Sequence, residues 1–194
     1  MSHRLLRDAR TYGVLFRIDE EFAAATRAAG CPCGGHLHSA RYPRKPRGGP
    51  ADRPGEYSKR LSFCCELEGC RRRSTPPSVR FLGRRVYFGM VVVLLCALAQ
   101  GATSKRVARL RQLAGDVSAR TVERWRGWWR EAFPATPLFR ELRGRLQPPV
   151  AIEDLPRSLL DRSTAAEPCD RVVATLRLLS PITTSPASLA AHPS

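Results

Sequence analysis

Apolar side chains recur at helical spacing in the first thirty residues and again after residue 86, whereas the stretch between lacks that period. Residues 4–29 predict an amphipathic helix that is interrupted at Gly13 and ended by Gly30. Residues 31–85 are rich in Gly, Pro and Arg, so turns and short strands are expected there.

The longest apolar run, VYFGMVVVLLCALA, covers 14 residues from Val86 to Ala99. A membrane-spanning helix needs about 18 or more apolar residues. The run therefore predicts a buried core helix, and no membrane association is expected.

Residues 104–133 predict two basic helices separated by Gly115. Ser118 can cap the second helix, whose apolar residues stand at i, i+3 and i+7. This pattern is typical of a helix-turn-helix, although the turn is one residue longer than usual unless Asp116 takes the place of the glycine. A basic two-helix hairpin is the alternative. The candidates for reading base edges lie at the start of the second helix: Arg120, Thr121 and Arg124.

Five of the seven cysteines fall within 40 residues, in the groups CPCGG and CCELEGC. The N-terminus lacks the apolar region of a secretion signal, so a reducing compartment is expected, and metal or free thiols are favoured over disulfides. Two tight turns that each present a pair of thiolates are typical of a zinc ribbon holding one structural Zn²⁺. The predicted ligands are Cys31, Cys33, Cys65 and Cys70.

Two choices in this ligand set stay open. Cys65 leaves four residues before Cys70, the usual knuckle spacing, but the adjacent Cys64 is the alternative. Cys-x-Cys is tighter than the common Cys-x-x-Cys, so His36 or His38 is a possible replacement for one thiolate of the first pair. Free thiols in a basic loop remain the alternative to a metal site.

These elements predict an α+β fold that is mostly α. It consists of an N-terminal helix (1–30), a zinc ribbon (31–85), a helical helix-turn-helix domain (86–150) and a tail (151–194). The tail is rich in Ser, Thr, Pro and Ala and is expected to be poorly ordered with little core of its own.

The chain carries 33 Lys and Arg against 17 Asp and Glu, a formal charge of +16. Of these, 29 basic and 12 acidic residues precede residue 151, so the first 150 residues carry +17. Such a field attracts phosphate backbones. The ribbon residues predicted to contact phosphates are Arg41, Arg44, Lys45, Arg47, Arg71, Arg72 and Arg73.

The order of a CPCGG/CCELEGC ribbon, the basic segment RRRSTPPSVRFLGRRVYF and a helix-turn-helix ending in TVERWRGWW resembles the N-terminal DNA-binding half of bacterial insertion-sequence transposases. The resemblance covers about residues 30–133. It implies binding to double-stranded DNA, with a separate transposase as a possible protein partner. The family's RNase H-like catalytic domain does not fit into the residues after Phe133, so no enzymatic activity is expected.

The sequence thus predicts a non-enzymatic, zinc-stapled DNA-binding protein of mobile-element origin, in the cytoplasm and associated with the nucleoid. The alternative is a zinc-ribbon adaptor for RNA or a protein, in which Trp128 and the arginine-rich face would form the partner surface.

Overall fold

The computed structural model describes residues 3–44, 46–82, 87–115 and 117–184. The fold is α+β and mostly helical, which confirms the predicted class. The helices are α1 (Ala9–Ala29), α2 (Gly89–Ala99), α3 (Ser104–Leu113), α4 (Ala119–Gly127), α5 (Pro137–Arg145), α6 (Arg157–Leu160) and α7 (Pro168–Leu179). Short 3-10 turns cover His3–Arg7, Gly55–Ser58 and Ser180–Thr183.

Helix α1 is continuous, so the predicted break at Gly13 is wrong. Asp8 caps its start by accepting a hydrogen bond from the Arg10 amide, and Gly30 ends it with a φ of 70°. A Cβ at Gly13 would lie 2.9 Å from the Tyr57 hydroxyl. Gly13 therefore leaves room for the close approach of Tyr57, and it does not interrupt the helix.

The strands form two small antiparallel sheets. The strands are β1 (Leu37–Ser39), β2 (Tyr42–Pro43), β3 (Lys59–Arg60), β4 (Phe63–Cys65) and β5 (Arg73–Ser74). The first sheet has the order β1-β4-β5, with Leu37 opposite Cys65 and Cys64 opposite Arg73, and the second pairs β2 with β3.

Helix α2 lies at the centre of the main core, and all of its residues except Leu98 are buried. Helices α3, α4, α6 and α7 pack around it. The buried core helix predicted from the apolar run is thus confirmed over the residues that the structure describes; Val86 lies outside them. No helix in the described part of the chain is long and apolar enough to span a membrane.

Helices α3 and α4 are joined by a short connection. Thr103 caps α3, and Ser118 caps α4 by accepting from the Thr121 amide. After α4 the chain continues as a π-helical turn over Trp128–Ala132, which Phe133 closes by donating to the Trp128 carbonyl at 2.9 Å. Asp116, the residue suggested in place of the turn glycine, lies outside the described residues.

The expectation of a poorly ordered tail after residue 150 is wrong for the part that the structure describes. Helix α7 buries an apolar stripe in the main core, as do residues of α6. The residues of this segment that are 4% exposed or less in that core are Leu155, Leu159, Leu160, Val172, Leu176, Leu179 and Ile182. Helical spacing of these side chains, rather than the Ser/Thr/Pro/Ala composition, determines the structure. Residues 185–194 lie outside the described residues.

A second, smaller core lies beneath the three-stranded sheet. It contains Leu37, Leu61, Phe63 and the buried thiols Cys31 and Cys65, and Ala23 of α1 packs against it. The earlier part of α1 contributes Tyr12, Leu15 and Ile18 to the main core. Helix α1 therefore contacts both cores.

Candidate metal centre and its basic surroundings

Four cysteines meet at one end of the three-stranded sheet. The sulfur atoms of Cys31, Cys33, Cys65 and Cys70 all lie within 4.8 Å of one another. The Sγ–Sγ distance is 3.7 Å between Cys31 and Cys70 and 3.5 Å between Cys33 and Cys65. These are the four cysteines that the sequence spacing predicts as ligands, and the structure brings them together.

Two tight turns present the thiols. In the first, the Gly34 amide donates to the Cys31 carbonyl at 2.8 Å, and Gly34 has a φ of 84°. In the second, the amides of Cys70 and Arg71 both donate to the Leu67 carbonyl, and Arg71 takes a φ of 44°. The positive φ in the second turn thus falls on Arg71, the residue after Cys70.

Gly35 is needed for space. A Cβ at this position would lie 2.7 Å from the Cys65 sulfur and 2.9 Å from Cγ of Leu67. Any side chain there would push the two cysteine-bearing turns apart.

The geometry fits a four-coordinate metal. Metal–sulfur bonds of about 2.3 Å arranged as a tetrahedron give sulfur–sulfur edges of about 3.8 Å, close to the Cys31–Cys70 and Cys33–Cys65 distances. The Gly35 backbone N–H lowers the pKa of Cys33 to about 7, with smaller contributions from the neighbouring thiols. Burial raises the pKa of Cys65 to about 12. A metal would therefore bind a partly ionised Cys33 but would have to displace a proton from Cys65.

The alternative ligands lie outside the cluster. The Cys64 sulfur is 3.5 Å from the Arg71 carbonyl oxygen, on the other side of strand β4. His38 contacts Glu66, with 3.1 Å between Nε2 and Oε2, and the second carboxylate oxygen of Glu66 accepts from the His36 amide at 3.0 Å. The alternation of side chains along β4 thus separates Cys65 from Cys64.

Arginines from two distant segments meet on the sheet surface around Tyr42. The guanidinium of Arg44 lies 5.1 Å from the centre of the Tyr42 ring and donates to its hydroxyl at 3.2 Å. Arg73, from β5, lies 5.8 Å from the same ring. Arg41, Arg71 and Arg72 are exposed, and Arg71 forms a loose ion pair with Glu68. We use the name ribbon arginine patch for Tyr42 together with Arg41, Arg44, Arg71, Arg72 and Arg73.

The loop that follows the patch packs against the connection between α3 and α4. A Cβ at Gly48 would lie 2.9 Å from the Ala114 carbonyl oxygen, and Gly115 approaches the Gly48 Cα. Arg47 is exposed and its backbone bridges to Tyr87, whose ring packs edge-on against Trp125 of α4. Lys45, which was predicted to contact phosphate, lies outside the described residues.

The three residues predicted to contact bases differ in their exposure to solvent. Arg120 and Arg124 are exposed on α4. Thr121 is only 7% exposed, and its hydroxyl lies 2.9 Å from that of Ser118. The assignment of Thr121 as a base-contacting residue is therefore wrong in this structure, because its side chain belongs to the N-terminal cap of α4.

The tryptophans of this region belong to the core. Trp128 is 2% exposed and Trp129 is fully buried, and both rings pack against Phe133. Trp128 therefore offers no surface to a partner, although the adaptor alternative places this side chain in the partner surface.

A buried ion pair was missed by the sequence analysis. Asp19 of α1 and Arg80 are both fully buried, with 2.8 Å between Oδ2 and Nε. Asp19 also accepts from the Ser78 hydroxyl at 2.6 Å and from the Val79 amide at 2.7 Å. Burial lowers the pKa of the Arg80 guanidinium, and the charge of Asp19 opposes this effect.

Arg80 completes this network by donating to the carbonyls of Tyr57 at 2.6 Å and Lys59 at 2.9 Å. It joins α1, the segment before β3 and the segment that leads to α2. The only sequence signal is one acidic position on the apolar face of α1, at the residue after Ile18.

Comparison of the chain with protein-family models, with curated proteins and with solved structures finds no match. The chemistry of this chain's own residues is therefore the basis for a functional proposal.

Proposed function

We propose that this chain is a DNA-binding protein whose ribbon is stapled by one structural zinc ion. The observation that carries the proposal is the ribbon arginine patch. Arg44 and Arg73, which come from segments far apart in the chain, share the ring of Tyr42, and Arg71 to Arg73 directly follow Cys70 of the four-thiol cluster. Guanidinium groups grouped in this way suit the closely spaced phosphates of a nucleic-acid backbone.

The four cysteine thiolates favour zinc as the metal. Four thiolates at tetrahedral spacing favour Zn²⁺ or an iron–sulfur centre over hard cations such as Mg²⁺. The small ribbon core contains few large apolar side chains, so metal binding would supply much of its folding free energy. A structural role follows, since all four ligand positions are filled by the protein.

The helical part is proposed to add sequence discrimination. Helix α4 presents Arg120 and Arg124 to solvent, and the connection before it packs against the loop that leads from the ribbon arginine patch. The resemblance to transposase DNA-binding regions is consistent with this division of labour. On this proposal the protein binds DNA without cutting it.

The test separates the two kinds of contact. Duplexes would be selected from a random pool near physiological salt, and binding of single variants would be measured by fluorescence anisotropy at several salt concentrations. Arg72→Ala should weaken binding to all sequences alike and flatten the salt slope by about 1. Arg124→Ala should reduce discrimination between selected and random DNA by about 1–3 kcal/mol.

Arg143→Ala is the matched control, because Arg143 is an exposed arginine on α5 outside both surfaces. A uniform loss in all three variants would show only nonspecific attraction to the basic chain. A preference for single-stranded RNA over every duplex would support the adaptor alternative and overturn the DNA proposal.

A further inference from the structure

A cleft in the helical part of the protein has chemistry that the proposed function does not use. Its volume is about 360 Å³, and it lies between the end of α2, the first turn of α3, α6 and the start of α7. The polar residues that line it are Gln100, Arg106, Arg157, Asp161 and Arg171. Small-molecule pockets start at about 300 Å³, so the cleft is large enough for a compact ligand.

Three guanidinium groups give the cleft its charge. Arg157 is 3.4 Å from Asp161, which occupies one side of that guanidinium. Arg171 donates from Nε to the Ala165 carbonyl at 2.6 Å, which fixes the side chain and leaves its terminal nitrogens for another acceptor. The side chain of Arg106 has no partner among the described residues. Three arginines against one acid leave a net positive site that suits a phosphate group.

The acceptor that the cleft offers to a ligand is the carboxylate of Asp161, whose side chain is 58% exposed beside Arg157. Gln100 holds one wall of the cleft in place. Its side-chain nitrogen donates to the carbonyls of Glu153 and Leu155, at 3.1 and 3.3 Å. These bonds tie the end of α2 to the segment that leads into α6.

We infer that this cleft binds a small hydroxylated organic phosphate. The phosphate would be held by Arg106, Arg157 and Arg171, while a hydroxyl group donates to the Asp161 carboxylate. Inorganic phosphate alone satisfies only the arginines, and a free sugar satisfies only the carboxylate. The inference does not depend on DNA binding, because most of the lining comes from α2, α6 and α7.

The test is isothermal titration calorimetry of the full chain with ribose 5-phosphate as the probe, with ribose and inorganic phosphate as matched arms. Ribose 5-phosphate should bind at least about tenfold more tightly than inorganic phosphate, and ribose should give no heat. Arg171→Met should weaken ribose 5-phosphate binding by about tenfold or more, the loss expected for one charge-assisted hydrogen bond. Arg143→Met should leave it unchanged.

Asp161→Asn supplies a readout with the opposite sign. It removes the negative charge beside Arg157, so binding of inorganic phosphate should become tighter, while the advantage of ribose 5-phosphate over inorganic phosphate should shrink. Circular dichroism of each variant checks folding. No heat with ribose 5-phosphate at millimolar concentration, equal losses in Arg171→Met and Arg143→Met, or weaker phosphate binding in Asp161→Asn would each overturn the inference.

Discussion

Removing one charge from the buried Asp19–Arg80 pair should strongly destabilise the protein. Asp19→Asn keeps the side-chain shape but leaves the Arg80 guanidinium without a counter-charge at a site that is 0% exposed. Breaking a buried pair in this way costs about 3–5 kcal/mol. For a chain of this size each kcal/mol lowers Tm by about 2–4 °C, so the expected drop is about 6–20 °C.

The matched control is Glu21→Gln on the same helix. Glu21 contacts Arg177 at 3.0 Å, but the two side chains are 64% and 45% exposed. An exposed pair of this kind contributes about 0–1 kcal/mol. The double variant Asp19→Leu/Arg80→Met should recover only part of the loss. No charge remains buried, but Ser78, Val79 and the carbonyls of Tyr57 and Lys59 lose their hydrogen-bond partners.

The assay is urea unfolding of the metal-loaded protein followed by far-ultraviolet circular dichroism. Fluorescence of the buried tryptophans provides a second probe of the same transition. A loss below about 1 kcal/mol for Asp19→Asn, equal to that of Glu21→Gln, would refute the reasoning. It would mean that Arg80 finds sufficient compensation in the carbonyls of Tyr57 and Lys59.

Three further predictions follow from the cysteine cluster and the C-terminal helices. Cys65→Ser should abolish binding of one equivalent of zinc, as measured by atomic emission, whereas Cys64→Ser should retain it. Because Cys65 has a pKa raised to about 12 by burial, metal binding must release at least one proton, so affinity should fall at least about tenfold per unit from pH 8 to pH 6. Competition with a chelator of known affinity measures this, and a pH-independent affinity would contradict it. Leu160→Ala, at a fully buried side chain, should lower the free energy of unfolding by about 2–5 kcal/mol. Leu67→Ala, at a side chain that is 46% exposed, should lower it by less than about 0.5 kcal/mol.

The parts of the fold that sequence predicts well are those fixed by neighbouring residues. The cap at Ser118 and the spacing between Cys65 and Cys70 depend on a few consecutive positions, so their geometry can be worked out without the rest of the chain. The apolar run of α2 is similarly informative, because a helix that is apolar on all sides has to be buried.

The features that sequence analysis missed depend on partners far along the chain. Asp19 and Arg80 are 61 residues apart, and a charged residue in an amphipathic helix is ordinarily exposed. The error after residue 150 has a different cause. Val172, Leu176 and Leu179 stand at i, i+4 and i+7, which indicates a helix, whereas the Ser, Thr, Pro and Ala around them favour a poorly ordered tail.

The buried network also determines how the candidate metal centre relates to the rest of the molecule. Arg80 binds the carbonyl of Tyr57, just before β3, and that of Lys59, the first residue of β3, and Asp19 holds the same guanidinium from α1. Since α1 packs against both cores, the cysteine-bearing sheets and the helices share one helix and one ion pair. A fragment that ends before Arg80 would lose the guanidinium that pairs with Asp19. The cysteine-bearing segment is therefore not an independent module in the energetic sense, and its position depends on charges in the interior.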